Sequence, residues 1–216
     1  MAIFMFSECV SPNSDCQMCP RLVKFRQENK VRFPEWHNGP VASFGNISSN
    51  LLIVGLAPGL KGANRTGRPF TGDAAGDLLY PALLRLGLAK GHFKASTNDS
   101  IELLNCRITN AVRCVPPQNK VTSFETTACL SFLKKEISMM ENLKVIFALG
   151  AVAHGSVLTA FAIKKSTSPF SHGARHELDY GLTLIDSYHC SRYNTNTGRL
   201  TTKMFHVVLQ DVVSLL

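Results

Sequence analysis

The stretch LLIVGLAPGLKGANRTGRPFTGDAAG, residues 51–76, decides the fold. Its first five residues are wholly apolar and end in a glycine, which is typical of a buried strand in a parallel sheet. A glycine-rich loop follows, and Asp73 then precedes leucines at helical spacing as far as residue 88. A strand, a loop and a helix in this order predict the first unit of an α/β fold.

Further strands and helices alternate along the rest of the chain. Three more apolar segments predict strands, at residues 107–112, 144–150 and 182–189. Four segments predict helices, at residues 20–30, 122–142, 151–162 and 201–216, and the third of these is rich in alanine. Thr122 and Glu125 have the spacing of a capping box. We therefore predict a three-layer α/β/α sandwich around a four-stranded parallel sheet, formed by a single domain over residues 1–216. An N-terminal segment, residues 1–50, carries two closely spaced cysteines.

The composition favours an acidic partner. The 216 residues are 45% hydrophobic, enough to bury a full core, and 23 Lys and Arg against 15 Asp and Glu give a formal charge of +8. An excess of positive charge favours binding to nucleic acid, although a basic protein without such a partner fits the same numbers. The sequence has no apolar run of membrane-spanning length, and its short apolar start has no basic leader. We expect an intracellular monomer with reduced thiols.

Seven cysteines, an odd number, argue against a disulfide framework. Two pairs could meet at one metal, Cys16 with Cys19 and Cys114 with Cys129. Four thiolates suit either a structural zinc ion or a [4Fe–4S] cluster, and the spacing does not separate the two. We interpret the remaining three as small core residues: Cys9, Cys106 and Cys190.

The loops that follow the strands carry the unusual residues, and ligands of open α/β sheets bind at that edge. In the first loop, Phe70 is an aromatic ring in polar surroundings, a plausible platform for a nucleic-acid base. Asp73 fits both a helix N-cap and a catalytic carboxylate, and the two roles are compatible. The arginines of this loop suit phosphate contacts or structural ones. The loop lacks the pattern of a phosphate-binding P-loop.

Two more loops add polar groups to the same edge. Asn110 ends the second strand, where its amide could pair with a base or cap a turn. His189 directly follows the last strand, a position that suits a catalytic imidazole, although a lone histidine is more often structural. Five donors without a balancing carboxylate follow it and suit DNA phosphates: Ser191, Arg192, Asn194, Asn196 and Arg199.

Three motifs together resemble the iron–sulfur uracil-DNA glycosylases, and within that superfamily the group called family 5. They are GLAPG with NRTGRPFTGD, then TNAVRC, then H-x-S-R-x-N-T-N-T-G-R-L-T, and with the four cysteines they cover residues 16–203. The resemblance implies a [4Fe–4S] cluster on the four paired cysteines: Cys16, Cys19, Cys114 and Cys129. It implies hydrolysis of the N-glycosidic bond of deaminated bases in DNA, without a nucleotide cofactor.

The resemblance also implies roles for individual residues. Phe70 would stack on a flipped base, Asn110 would read its Watson–Crick edge, and His189 would donate to a base oxygen. The first motif would line the base pocket with five residues, Gly55, Leu56, Ala57, Pro58 and Gly59.

This chain departs from the family pattern at three places. Other branches carry a polar or acidic residue where it has Leu56 and Ala57, so we expect Asp73 to supply the carboxylate that acts on the attacking water. A fully dissociative reaction, in which DNA phosphates stabilise the sugar cation, is the alternative. Gly59 stands where the best-known branch has a bulky aromatic residue, which predicts acceptance of hypoxanthine, etheno or alkylated bases. Cys190 replaces a proline after the histidine, which predicts a less rigid loop.

Two other classes of protein fit part of the sequence. A non-catalytic DNA-binding protein with a structural metal explains the charge and the cysteines, but it leaves the polar residues at the strand ends unexplained as a set. A nucleotide-binding α/β enzyme explains the glycine-rich loop but not the cysteines.

Overall fold

A five-stranded sheet forms the centre of the computed structural model, which describes residues 10–216; Cys9 lies outside the described residues. The strands in chain order are β1 (Leu51–Gly55), β2 (Ala89–Lys90), β3 (Glu102–Leu103), β4 (Cys106–Asn110), β5 (Val145–Leu149), β6 (Arg175–Glu177) and β7 (Thr183–Ser187). The spatial order is β4-β1-β5-β7-β6, and β2 pairs with β3 apart from this sheet. The four predicted strands are confirmed, and all four run parallel.

The fifth strand, β6, is an antiparallel edge strand that the sequence did not predict. Its three residues read Arg-His-Glu, so it has none of the apolar pattern that marks the other four. Edge strands of this length and charge are common, because they discourage pairing with other chains.

Helices cover both faces of the sheet. They are α1 (Pro20–Arg32), α2 (Ala63–Thr66), α3 (Ala74–Arg85), α4 (Ser123–Met139), α5 (Ala151–Ala160), α6 (Arg192–Asn196) and α7 (Thr202–Val213). Alternate residues of each central strand face opposite ways: Leu51 and Ile53 pack with α3 and α7, while Leu52 and Val54 pack with α4 and α5. This confirms the predicted three-layer architecture. None of the helices within residues 10–216 is both long and apolar enough to cross a membrane.

A buried ion-pair network fixes the chain just after β4. Arg113, which is 1% exposed, donates to Glu136 at 2.6 Å and to the Ser43 hydroxyl at 2.6 Å, and Arg107 donates to the other Glu136 oxygen at 2.7 Å. Burial acts to raise the pKa of Glu136, but Arg113 and Arg107 hold it below its ordinary value. The network therefore anchors the segment between Asn110 and Cys114 to α4.

The register of the sheet brings four strand ends to one edge. Gly55 at the end of β1 pairs with Asn110 of β4, and Leu149 at the end of β5 pairs with Ser187 of β7. The loops that carry the predicted site residues therefore start side by side, as ligand-binding loops of open α/β sheets do.

Candidate active site

A cavity of about 740 Å³ opens at this edge of the sheet. Its volume lies in the range of small-molecule and cofactor pockets. The loops after β1, β4, β5 and β7 all contribute to its wall, through residues that include Asp73, Asn119, Gly150 and His189. The loop after β5, for which the sequence offered no candidate residue, also takes part, because Leu149 to Val152 line the cavity.

Asp73 both caps a helix and faces the cavity. Its Oδ1 accepts from the backbone N–H of Ala75 at 3.1 Å and of Gly76 at 3.4 Å, which makes it the N-cap of α3. Its Oδ2 has no hydrogen bond within residues 10–216. Burial raises the pKa of this carboxyl above its ordinary value, and the two backbone N–H groups act in the opposite direction. The two roles considered from the sequence therefore fall on different oxygens of one side chain.

Two glycines leave room for the second oxygen. A Cβ on Gly59 would lie 2.7 Å from Asp73 Oδ2, and a Cβ on Gly62 would come closer still to the same atom. Side chains at either position would displace the carboxylate. Gly59, which the sequence singled out as making the pocket roomier, thus has a second reason to be glycine.

Asn110 and Phe70 meet at Gly55. A Cβ on Gly55 would collide with Asn110 Oδ1 and would lie 2.6 Å from Cζ of Phe70, so only glycine permits both side chains there. Asn110 is 4% exposed, and its side-chain amide makes no hydrogen bond within the described residues. Phe70 is 6% exposed. Neither residue is among those that line the cavity, whereas Leu56, next to Gly55, is.

His189 completes this group. Its ring centroid is 6.0 Å from that of Phe70, with an angle of 24° between the planes. Burial lowers the pKa of His189 to about 4, so the imidazole is neutral at neutral pH. Its Nδ1 is buried and has no hydrogen-bond partner in the part of the chain that the structure describes. A neutral imidazole still carries one N–H group, so it can donate a hydrogen bond without a positive charge.

The five donors predicted to bind phosphate divide into two groups. Ser191 caps α6 by accepting from Asn194 N–H at 3.4 Å, and the Asn194 amide donates to the His189 carbonyl at 2.8 Å. These two residues therefore have partners inside the loop and hold His189 in place. Arg192 and Asn196 are exposed, and the Arg199 guanidinium lies 4.6 Å from the centre of the Tyr188 ring.

The arginines of the first loop also differ from each other. Arg68 is 8% exposed, and its guanidinium makes two hydrogen bonds of 2.8 Å to the Asp99 carboxylate. This guanidinium is the main reason that the pKa of Asp99 falls to about 2. Arg68 is therefore structural, whereas Arg65 is exposed, and within residues 10–216 its guanidinium donates a hydrogen bond only to the Lys61 carbonyl.

Several cavity residues were not predicted from the sequence. They are Phe170, Tyr188, Tyr193 and Asn119. Tyr188 ends a predicted strand, so the rule about strand ends could have found it. Tyr193 is 72% exposed, and the only sequence feature that could have predicted it is its position as an aromatic residue between Arg192 and Asn194. Phe170 lies in an irregular segment, and no sequence pattern marks it as a residue of the site.

The four paired cysteines line one small cavity. Cys19 caps α1, Cys114 follows β4, and Cys129 lies on α4; Arg21 joins α1 to α4 through two hydrogen bonds to Glu125, of 2.7 and 2.8 Å. The predicted capping box of Thr122 and Glu125 is confirmed. Burial first, and then neighbouring Cys129, raises the pKa of Cys19 to about 11.

The remaining cysteines of the described chain behave as predicted. Cys106 and Cys190 are fully buried in the main core, and all six cysteines within residues 10–216 are free. Cys190 lies near enough to Asp73 for that carboxylate to help burial raise its pKa.

Comparison with known proteins defines the class. The model of the uracil DNA glycosylase superfamily matches residues 42–213, about four fifths of the chain. The type-5 uracil-DNA glycosylase of Thermus thermophilus is 45% identical over 202 residues, 91% of each chain. That of Mycobacterium leprae is 41% identical over 211 residues, covering 94% of this chain and 92% of the relative. That of Pyrobaculum aerophilum is 37% identical over 209 residues, covering 95% and 91%.

The chain therefore belongs to the uracil-DNA glycosylase superfamily, and within it to the type-5 uracil-DNA glycosylases. This membership confirms the family that the sequence motifs predict, and with it the class of enzyme, a hydrolytic DNA glycosylase.

Proposed function

We propose that this chain removes uracil from DNA by hydrolysing its N-glycosidic bond and leaves an abasic site. One observation carries the proposal: three polar groups that have no hydrogen-bond partner within residues 10–216 lie at one edge of the sheet. They are Oδ2 of Asp73, the amide of Asn110 and Nδ1 of His189, beside the ring of Phe70. Of these atoms, His189 Nδ1 is fully buried, and because buried polar groups are normally paired, its lack of a partner supports a ligand that completes the set.

The substrate must reach this set as a single extruded nucleotide. A base inside a duplex is inaccessible, and flipping it costs a few kcal/mol, least in a mismatch such as that left by cytosine deamination. The Asn110 amide offers both a donor and an acceptor, which suits the Watson–Crick edge of uracil. Phe70 supplies a stacking face. Arg192 and Arg199, which line the cavity, and exposed Asn196 would contact the phosphates.

Bond cleavage separates charge, and the two sides of the site suit the two products. The electron pair of the C–N bond leaves with the base, while water adds to the sugar carbon and loses a proton. Neutral His189 would stabilise the leaving base by donating to its oxygen. Asp73 Oδ2 would orient the water and stabilise the cationic sugar. The whole site lies on loops of one chain, which supports action as a monomer.

The range of bases is the finer part of the proposal. With glycine at position 59, the cavity wall lacks the side chain that would restrict larger bases, which supports acceptance of hypoxanthine or etheno and alkylated bases. A panel of duplexes that each contain one damaged base tests this, and excision confined to uracil would reject it.

We also propose that Cys16, Cys19, Cys114 and Cys129 hold a [4Fe–4S] cluster. Thiolates on one zinc ion, each about 2.3 Å from it, have sulfurs within about 4.6 Å of one another. Within residues 10–216, no three cysteine sulfurs all lie within 4.8 Å of one another, which favours a larger multinuclear group. Such a cluster would supply a cross-link between α1, the chain after β4, and α4. Arg26 fits it, because this 6% exposed residue lines the cavity with its Nε unpaired.

The test of the function is excision of uracil. An end-labelled duplex with one uracil opposite guanine is incubated with protein that contains iron and acid-labile sulfide, and alkali then cleaves any abasic site. We expect cleavage at the uracil position and release of free uracil, and none with thymine in its place. Tight binding to the same duplex without release would instead identify a non-catalytic DNA-binding protein.

A further inference from the structure

A second group of metal-ligand side chains lies apart from the cysteines. His154 on α5, His176 on β6 and Asp186 on β7 each offer one ligand atom, and these three atoms lie within 4.8 Å of one another. Within residues 10–216 this is the one such group of histidine, cysteine and acidic side chains. Asp186 is fully buried and His154 is 3% exposed.

The hydrogen bonds of this group require three protons on nitrogen, one more than two neutral imidazoles carry. His154 Nδ1 is 2.9 Å from Asp186 Oδ1, His154 Nε2 is 2.9 Å from the Ser168 carbonyl, and His176 Nε2 is 3.0 Å from Asp186 Oδ2. All three oxygens are acceptors when Asp186 is ionised, so each contact requires a proton on nitrogen. Two neutral imidazoles carry only two protons between them. The group is therefore either protonated once more or completed by a cation.

A divalent cation would give the two ring nitrogens and the carboxylate oxygens that face one another a common partner. It would replace the two protons that face Asp186: one is released, and His176 carries the other on Nδ1, so each imidazole has one proton, on the nitrogen that faces away from the ion. His154 Nε2–H would then donate to the Ser168 carbonyl, which is the usual second contact of a metal-binding histidine. Two imidazoles and one carboxylate are ligands that suit zinc and similar divalent transition metals.

We propose that His154, His176 and Asp186 form a structural site for a divalent transition-metal ion, with zinc the expected occupant. The ligands come from three elements, so the ion would join α5 to the antiparallel edge of the sheet. Phe170, a cavity residue, packs edge-on against His154 with ring centroids 5.6 Å apart. His176 is the most exposed ligand, with its side chain 12% exposed, and gives the ion its entry path. The site does not depend on the glycosylase activity proposed above.

Metal content tests the proposal. Wild-type protein and His176→Gln are purified without chelators, loaded with one equivalent of Zn(II) or Co(II), desalted, and measured by elemental mass spectrometry. We expect the wild type to retain one more divalent ion per chain than His176→Gln, with affinity reduced about tenfold or more in the variant. Iron and sulfide should be equal in both, which separates this site from the cysteines. His92→Gln, which changes an exposed histidine, should match the wild type.

A second measurement needs no variant. Ring-nitrogen NMR of the wild type should show His154 losing its Nδ1 proton when Zn(II) is added in equimolar amount. Equal metal content in wild type and His176→Gln would overturn the proposal. So would a His154 ring that keeps both protons in the presence of zinc, because the extra proton would then complete the group. Uracil excision plays no part in either readout, so failure here leaves the proposed function standing.

Discussion

Asn110 and His189 illustrate what near-complete burial does to a polar side chain at the scale of one residue. Each lies within a tightly packed region and yet leaves a polar group without a partner among residues 10–216. An unpaired buried group costs about 1–3 kcal/mol. A folded protein tolerates this where a ligand restores the missing hydrogen bond, so the stability lost in the free protein becomes specificity in the complex.

At Asp73 the helix cap and the charge can be separated. Asp73→Asn keeps an N-cap but removes the charge on Oδ2, whose burial is unfavourable. We expect uracil release to slow by about 10²–10⁴-fold, while the free energy of unfolding stays equal or rises. Asp73→Ala should lose the same activity and also about 1 kcal/mol of stability. Single-turnover rates and denaturant unfolding measure the two effects. Near-normal cleavage by the asparagine variant would leave Asp73 as a cap alone.

The low pKa of His189 makes stability depend on pH. An unfolded histidine takes up a proton near pH 6.5, whereas folded His189 does so only near pH 4. Stability from this residue is therefore complete above pH 6.5 and is lost as the pH falls toward 4. Between pH 7 and pH 5 the wild type should lose about 2 kcal/mol more than His189→Gln. Urea unfolding at both pH values checks this, and equal losses would contradict the buried neutral imidazole.

At the scale of elements, the four parallel strands and the main helices could be predicted because each carries its own signal. Apolar runs mark β1 and β5, β-branched residues mark β4 and β7, and the capping box marks α4. The parts that were missed are set by tertiary contacts: β6 has no apolar residue, and β2 and β3 have two residues each.

The same distinction holds for the site. Asp73, Asn110 and His189 could be found because strand ends converge in any parallel sheet. Phe170 could not, because its place in the cavity wall depends on how an irregular segment folds back. The internal partners of Asn194 likewise depend on the loop's own geometry.

A substitution at Gly55 tests whether the close approach of β1 to Asn110 and Phe70 is needed to shape the base pocket. Gly55→Ala would push a methyl group against Asn110 and Phe70. We expect about 1–3 kcal/mol of lost stability and a loss of uracil excision. Gly155→Ala is the matched control, because its methyl group would meet only the flexible end of Lys165, 2.9 Å away, and should be neutral or add up to about 1 kcal/mol. Equal activity in the two variants would show that Asn110 and Phe70 tolerate displacement.

Helix α1 offers a test of the cysteine cavity. Arg26 lines the cavity with an unpaired Nε, whereas Arg32 on the same helix is exposed. We expect Arg26→Gln to lose visible iron–sulfur absorbance in air about tenfold faster than the wild type, as loss of an outer partner weakens metal sites. Arg32→Gln should bleach at the wild-type rate. If Arg26→Gln is as durable as the wild type, its Nε does not support the cluster.

Over the whole molecule, the excess of eight positive charges favours DNA binding, and the number of phosphates contacted sets how strongly that binding depends on salt. Each phosphate contact contributes roughly one unit to the slope of log affinity against log salt concentration. We expect Arg192→Gln, in the cavity wall, to reduce that slope by about one. Arg85→Gln at the far end of α3, about 18 Å from Asp73, should leave it unchanged. Fluorescence anisotropy over a range of KCl concentrations measures both, and equal slopes would remove Arg192 from the DNA interface.

Asp73 also has a consequence for how the sequence would change in descendants of this protein. Selection for a folded chain alone accepts asparagine, serine or threonine at a helix N-cap as readily as aspartate. Under the proposed function, aspartate at this position is required by the reaction and not by folding. A lineage released from DNA repair would keep its sheet, its helices and its cysteines and would first exchange this one residue. Position 73 would then serve as a marker, readable from sequence alone, that distinguishes working members of the family from copies that have kept the structure and lost the reaction.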